Sequence, residues 1–298
     1  MTLCNMNDLL CTAKKNSFAV GYFEAWDMYS LEAVAIAAEK ENAPIVIGFG
    51  GMTVEQQWLG NFGIEPLGKY ARKIAENLKV PASVYLNEVY DFNHVVKGIE
   101  SGFNAVLFNS SHLSLEKNIR ETKKVVEFAH KNKAHVQGEV GSLPEFESND
   151  DTSLLTNPDI AKKFVEETKV DFLGVSIGNV HIHSKGKYTP NLKLLRDIQK
   201  KIELPLVIHG TTGFPEDKIS DAINSGVAMF QVGTILKENF YNSVKNSIIN
   251  SETINNIHDY VGSRKKTDFL EIGKNKMIKL ISKYIKLFNS QNKADCYG

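Results

Sequence analysis

From Phe18 onward, short apolar runs of strand length alternate with longer amphipathic segments, the pattern of repeated strand and helix units that feed a parallel sheet. Eight runs are predicted as strands: residues 18–23, 44–49, 82–88, 105–109, 135–140, 172–177, 206–209 and 228–232. Helical patterns follow most of them. In residues 115–131, Ile119, Val125, Val126 and Ala129 recur at helical spacing among lysines and glutamates. Eight strands with intervening helices predict one α/β domain over residues 1–298, a (β/α)8 TIM barrel.

Three regions depart from this rhythm. Residues 1–15 read as a short extra N-terminal helix that plugs the bottom of the barrel. Residues 141–156 are a long polar stretch after the fifth strand, with Glu145, Glu147, Asp150 and Asp151, placed to overhang the active face either as a solvated loop or as a lid. Beyond the eighth strand, Met277, Ile278, Ile281, Tyr284, Ile285 and Phe288 form a stripe of a C-terminal helical extension, expected to pack on the barrel or on a neighbouring subunit rather than in a membrane.

Charge and cysteine usage narrow the partners. Lys+Arg and Asp+Glu both number 35, so no net field draws the chain to nucleic acid or an anionic membrane. Cys4, Cys11 and Cys296 have no ligand-like spacing, and an odd number fits reduced thiols better than a disulfide framework. No basic segment followed by an apolar run opens the sequence, and no stretch approaches a spanning helix. The expectation is a cytoplasmic protein whose partner is a small molecule held in a site.

Strand ends locate that site. LPLVIHGTTG (204–213) reads as a buried strand closed by His209, and VSIGNVHIHSKG (175–186) carries His181 beyond another. In a barrel such ends share one rim. The predicted rim then carries Glu24, Gly50, Asn87, Glu88, Asn109, Glu139, His181, His209 and Gln231. Either histidine alone also reads as a hydrogen-bonded structural residue; their matched placement beside glycines points to metal ligands. A zinc-like ion takes imidazole nitrogens and carboxylate oxygens, three from the protein when a position stays open for substrate. His181, His209 and either Glu88 or Glu139 meet that requirement, although each glutamate also suits a barrel salt bridge.

At these residues the chain resembles the class II, metal-dependent fructose-bisphosphate aldolases and their ketose-bisphosphate relatives. The resemblance rests on NAPIVIG (42–48), GFNAVLFNSSH (102–112), TKKVVEFAH (122–130), GEVG (138–141), GNVH (178–181) and PLVIHGTTG (205–213). It implies a barrel with a catalytic divalent metal, usually zinc, with His181 and His209 as ligands and Glu139 close by. It further implies Glu147 as the proton-transferring base, and Gly210, Thr212 and Thr234 around a substrate phosphate. A homodimer or homotetramer is expected.

Departures from the family pattern bear on specificity. Where the family has His-x-Asp-His after the third strand, this chain has YLNE (85–88), so Glu88 stands for a metal-binding histidine and Asn87 for an aspartate that handles a proton. An amide cannot serve as that acid, which leaves Tyr85, Glu88 or water. Gln231-Val232-Gly233 replaces the run that grips the ketose, and Glu24 replaces a polar amide near the phosphate, with Lys185 as the candidate compensating cation. The function expected is reversible aldol cleavage of a phosphorylated ketose into a three-carbon ketone fragment and an aldehyde, with altered specificity. Two alternatives stay open: a catalytically silent sugar-phosphate-binding or regulatory barrel, and a metal-dependent ketose-phosphate isomerase or epimerase.

Overall fold

The computed structural model describes residues 3–141, 155–179, 188–251 and 255–297. Strands β1 (Val20–Ala25), β2 (Ile45–Gly50), β3 (Ala82–Val89) and β4 (Ala105–Phe108) are followed by β5 (His135–Val140), β6 (Phe172–Val175), β7 (Leu206–Ile208) and β8 (Val227–Val232). Each pairs in parallel with the next, and β8 pairs with β1, which closes the barrel. With one face turned to the barrel interior and the other covered by helices, almost every strand position is buried.

Helix α1 (Met6–Lys15) precedes the barrel. Around it run α2 (Met28–Lys40), α3 (Gln56–Trp58), α4 (Ile64–Asn77), α5 (Phe92–Glu100) and α6 (Leu115–Lys131). The circle is completed by α7 (Pro158–Thr168), α8 (Leu192–Gln199), α9 (Ile219–Asn224), α10 (Thr234–Ile249) and α11 (Phe269–Leu287). Several starts are written locally: Asn5, Asp27, Asp91, Asn157 and Asp268 each accept backbone N–H groups of the first turn, which have no partner inside the helix.

Met6, Leu9, Leu10 and Ala13 of α1 are fully buried against the inward side chains Val20, Tyr22, Val46, Tyr85 and Phe172, and Cys4 N–H donates to the Ala82 carbonyl at 2.7 Å. The expected plug is present, and it leaves the opposite rim for chemistry. Helix α11 packs on α2 and α10, and Phe288 beyond it stacks on Phe230 with ring centroids 4.8 Å apart. No described helix is long and apolar enough to cross a membrane.

Boundaries shift where burial and strand pairing part company. Phe18 and Ala19 are buried, yet the ladder of β1 begins at Val20 opposite Met229 and runs on through Ala25, so Glu24 lies inside the strand and not after it. Strands β6 and β7 stop at Val175 and Ile208, short of the expected ends at 177 and 209, while β3 runs on to Val89.

Candidate active site

At the C-terminal rim a cavity of about 180 Å³ is lined by Glu24, Asn87, Glu88, His209, Gly210, Thr212, Gln231, Gly233 and Thr234, together with Tyr22, Thr53, Thr211, Val232, Lys237 and Glu238. The first nine were expected from sequence. They come from β1, β3, β8, the turn after β7 and the start of α10, so the closed barrel brings them together.

Alternation along a strand puts successive side chains on opposite faces, yet Asn87 and Glu88 both line the cavity. The reason is local. Pairing of β3 with β4 shifts register between Leu86 and Val89, and Glu88 has φ +54°. A bulge with a left-handed non-glycine residue re-aims the Glu88 side chain into the mouth. Glu88 Oε1 faces His209 Nδ1 at 3.6 Å, with both side chains almost fully buried. Asn87 Nδ2 donates to Glu88 Oε2 at 3.1 Å, and Asn87 Oδ1 is buried with no hydrogen-bond partner among the described residues.

His209 is held from both sides. Its Nε2 lies 2.6 Å from Gln137 Nε2, and its carbonyl accepts from Asn179 Nδ2 at 2.9 Å. Asn179 is the second residue before His181 and thereby ties the end of β6 to the end of β7. Burial disfavours a charged His209 ring, but the Glu139 and Glu88 carboxylates outweigh it and hold the ring above the ordinary histidine range. A buried imidazole nitrogen facing one carboxylate, with a second near by, is a donor set of the hard-and-borderline kind that divalent ions take. Among the described residues no group of three His, Cys, Asp or Glu side chains assembles such a site unaided.

The other wall is the start of α10. Its N-cap residue Gly233 has no side chain to cap it, Ile235 N–H donates instead to Thr212 Oγ1 at 3.2 Å, and Gly233 and Thr234 line the cavity. The N–H groups of Leu236 and Lys237 are taken up by the Gly233 carbonyl, so it is the positive end of the helix dipole that favours an anion there. Facing this end, Glu24 bonds Lys237 and accepts from Thr53 Oγ1 at 3.2 Å. A Cβ on either Gly50 or Gly233 would come within 2.9 Å of the Glu24 carboxylate, so both glycines make room for it.

Two expected residues sit away from the cavity wall. Tyr85 points into the fully enclosed layer beneath, where its hydroxyl donates to Gln137 Oε1 at 2.8 Å; burial pushes its ionisation well above the usual range. Tyr85, expected as one possible proton carrier, is thus fully buried and does not line the cavity. Glu139 is buried on β5 near His209. Glu147, His181 and Lys185 lie outside the described residues. Sequence reading missed Tyr22, Thr53, Gln137 and Lys237, none of which stands at a predicted strand end.

The class-II fructose-bisphosphate aldolase family model matches residues 4–293. The chain is 28% identical over 270 residues to the fructose-bisphosphate aldolase of Staphylococcus aureus (strain Mu50 / ATCC 700699), covering 89% of this chain and 93% of that one. It is also 28% identical over 293 residues to the sulfofructosephosphate aldolase of Alkalicoccus urumqiensis, covering 97% of each. Among solved structures, the YdjI aldolase from Escherichia coli K12 superposes with a TM-score of 0.81 at 25% identity, covering 98% of this chain and 99% of that one. With the closed eight-stranded barrel and a family match spanning nearly its whole length, the chain belongs to the class-II fructose-bisphosphate aldolase family.

Proposed function

We propose that this chain is a divalent-metal-dependent aldolase, with zinc as the ion, that reversibly cleaves a phosphorylated ketose other than fructose 1,6-bisphosphate. Family membership supports the general chemistry, aldol cleavage of a ketose phosphate. The observation that carries the metal is the buried pair His209 Nδ1 and Glu88 Oε1 at 3.6 Å. Two ligands at 2.0–2.2 Å from one tetrahedral ion stand about 3.3–3.6 Å apart. His181 completes the set in this reading, with Glu139 beside it; the bond from Asn179 to the His209 carbonyl supports its approach to the same rim.

A divalent ion held there supplies Lewis acidity toward the ketone oxygen. The remaining work falls to side chains. In the cleavage direction the hydroxyl on the departing carbon loses its proton, the carbon–carbon bond breaks, an aldehyde leaves, and Glu147 delivers a proton to the carbon of the three-carbon ketone fragment. Asn87 Oδ1, buried without a hydrogen-bond partner among the described residues, is suited to orient that hydroxyl by accepting a hydrogen bond. With Tyr85 fully buried and not lining the cavity, the proton passes to Glu88 or water.

Gly210, Thr212, Thr234 and the first turn of α10 hold the phosphate in this reading, with Lys185 as a further cation. Lys237 is already matched by Glu24, which argues against a second dianion at that wall. Gln231 and Gly233 reshape the surface beside the ketose carbons. The test is metal content of the purified protein followed by kcat/KM for fructose, tagatose and deoxyketose phosphates and their unphosphorylated forms. One divalent ion per chain and chelator-sensitive cleavage are expected. Cleavage that persists in chelator removes the metal reading, and preference for fructose 1,6-bisphosphate above all others removes the specificity reading.

A further inference from the structure

Gln137, in the middle of β5, is a fully buried polar group beside His209. Its amide Nε2 lies 2.6 Å from His209 Nε2, while its Oε1 accepts from Tyr85 Oη at 2.8 Å and from Gln231 Nε2 at 3.0 Å. Three strands therefore converge on one amide, and the amide touches one nitrogen of the candidate metal ligand. Space for that contact is provided by β6. A Cβ on Gly174 would come 3.0 Å from Gln137 Nε2 and 3.5 Å from His209 Nε2.

An imidazole has two nitrogens, and a ring that binds a cation through one keeps its hydrogen on the other. As placed, the Gln137 NH2 can only donate to Nε2, which leaves the ring hydrogen on Nδ1 toward Glu88; a cation on Nδ1 needs the opposite arrangement, with Nε2–H donating to an amide oxygen. A metal-ligating histidine is ordinarily oriented by an acceptor for its remote N–H. A side-chain amide can meet that need, because a half-turn exchanges its donor and acceptor ends. Gln231 has a buried Oε1 with no partner among the described residues, ready to accept the NH2 of a turned Gln137 once Gln231 turns as well.

We propose that Gln137 is a positioning residue which, through its contact with Nε2, selects Nδ1 of His209 as the metal-facing nitrogen. The proposal rests on the metal reading of His209 and Glu88. Its role is to orient the ring; it touches neither metal nor substrate.

The experiment is zinc titration of 15N-histidine-labelled full-length protein, with ring resonances of His209 assigned by their loss in His209→Gln, and zinc affinity measured by competition with a chelator. In the wild type, zinc is expected on Nδ1 with the hydrogen on Nε2. Gln137→Leu is expected to weaken zinc roughly 10–100-fold and to mix the two ring forms. Gln137→Glu, which supplies an acceptor, is expected to restore the wild-type ring pattern and most of the affinity. Should Gln137→Leu fail to fold, Gly174→Ala presses on the same contact from β6 and is expected to weaken zinc several-fold. Zinc bound through Nε2 overturns the proposal while leaving the metal reading intact, as does a folded Gln137→Leu protein with unchanged affinity and ring pattern. No response of His209 to zinc overturns the metal reading and the proposal with it.

Discussion

Glu24 and Lys237 stand 213 positions apart in the chain and meet on one wall of the cavity. A carboxylate that needs two glycines cleared around it, and a lysine to neutralise it, acts on whatever anion enters. At an effective dielectric near 20, removing a like charge some 6–8 Å from a bound anion is worth about 2 kcal/mol, less once solvent screens it. Glu24→Gln is therefore expected to tighten inorganic phosphate, measured as an inhibitor or by calorimetry, by about tenfold, with the gain shrinking as salt rises. An unchanged or weaker affinity would show that the carboxylate does not face the anion. Of this wall the sequence displayed Glu24, because a departure at a strand end is visible in one dimension. Lys237 was not legible: a lysine in the second half-turn of a helix looks like any solvated lysine until the barrel closes and brings β1 beside it. Gln137 was hidden for the same reason, lying mid-strand and gaining meaning only from His209 across the barrel interior.

At the scale of elements, the eight strands and the helix 115–131 were readable because their apolar periods are strong, and α6 has those limits in the structure. What the pattern could not carry was the hydrogen-bond ladder. Apolar residues flank β1 on both sides, so burial gave no edge, and the pairing with β8 decided it. The bulge in β3 is a further case: YLNE reads as the polar end of an ordinary strand, and nothing in it announces a left-handed residue. Yet that residue makes the site, since a regular β3 would send Glu88 outward to the helices. The backbone at Glu88 has a measurable signature. A left-handed non-glycine costs about 1–2 kcal/mol, and glycine is spared it. In the metal-free protein, Glu88→Gly is expected to be more stable than Glu88→Ala by about 1 kcal/mol in urea unfolding, the reverse of the usual order in a strand. Ala above Gly would mean that φ at this position is not positive in solution.

For the whole molecule, the two ends of the barrel do different work. The rim gathers buried charge and polar atoms that have no hydrogen-bond partner among the described residues, while the base is closed by α1 and tied together by Asp171, which bonds two neighbouring elements from the start of β6. Asp171 accepts from Val136 N–H at 2.8 Å and pairs with His135 Nδ1 at 3.0 Å and with His130 Nε2 at 2.9 Å, joining β5, α6 and the start of β6. Burial raises the pKa of this carboxyl, but the bonds from His135, Val136 and His130 outweigh that and bring it below the ordinary aspartate value. A carboxyl with a depressed folded-state pKa stabilises above its unfolded value and loses that contribution as pH falls through the folded one. The unfolded value is about 3.9, so the contribution is whole at neutral pH and declines below about pH 4. Asp171→Asn keeps one acceptor and loses the charge, and is expected to lower unfolding free energy at pH 7 by about 1–3 kcal/mol. Because Asn does not titrate there, the gap between the two proteins should narrow as the wild-type carboxyl protonates in acid. Zinc affinity at the far rim should stay unchanged, as expected of a fold that keeps its catalytic groups on one face and its stabilising contacts on the other. A stability gap of constant size from neutral pH into acid would show that Asp171 acts through packing rather than charge, and a matching loss of zinc would show that base and rim are not independent.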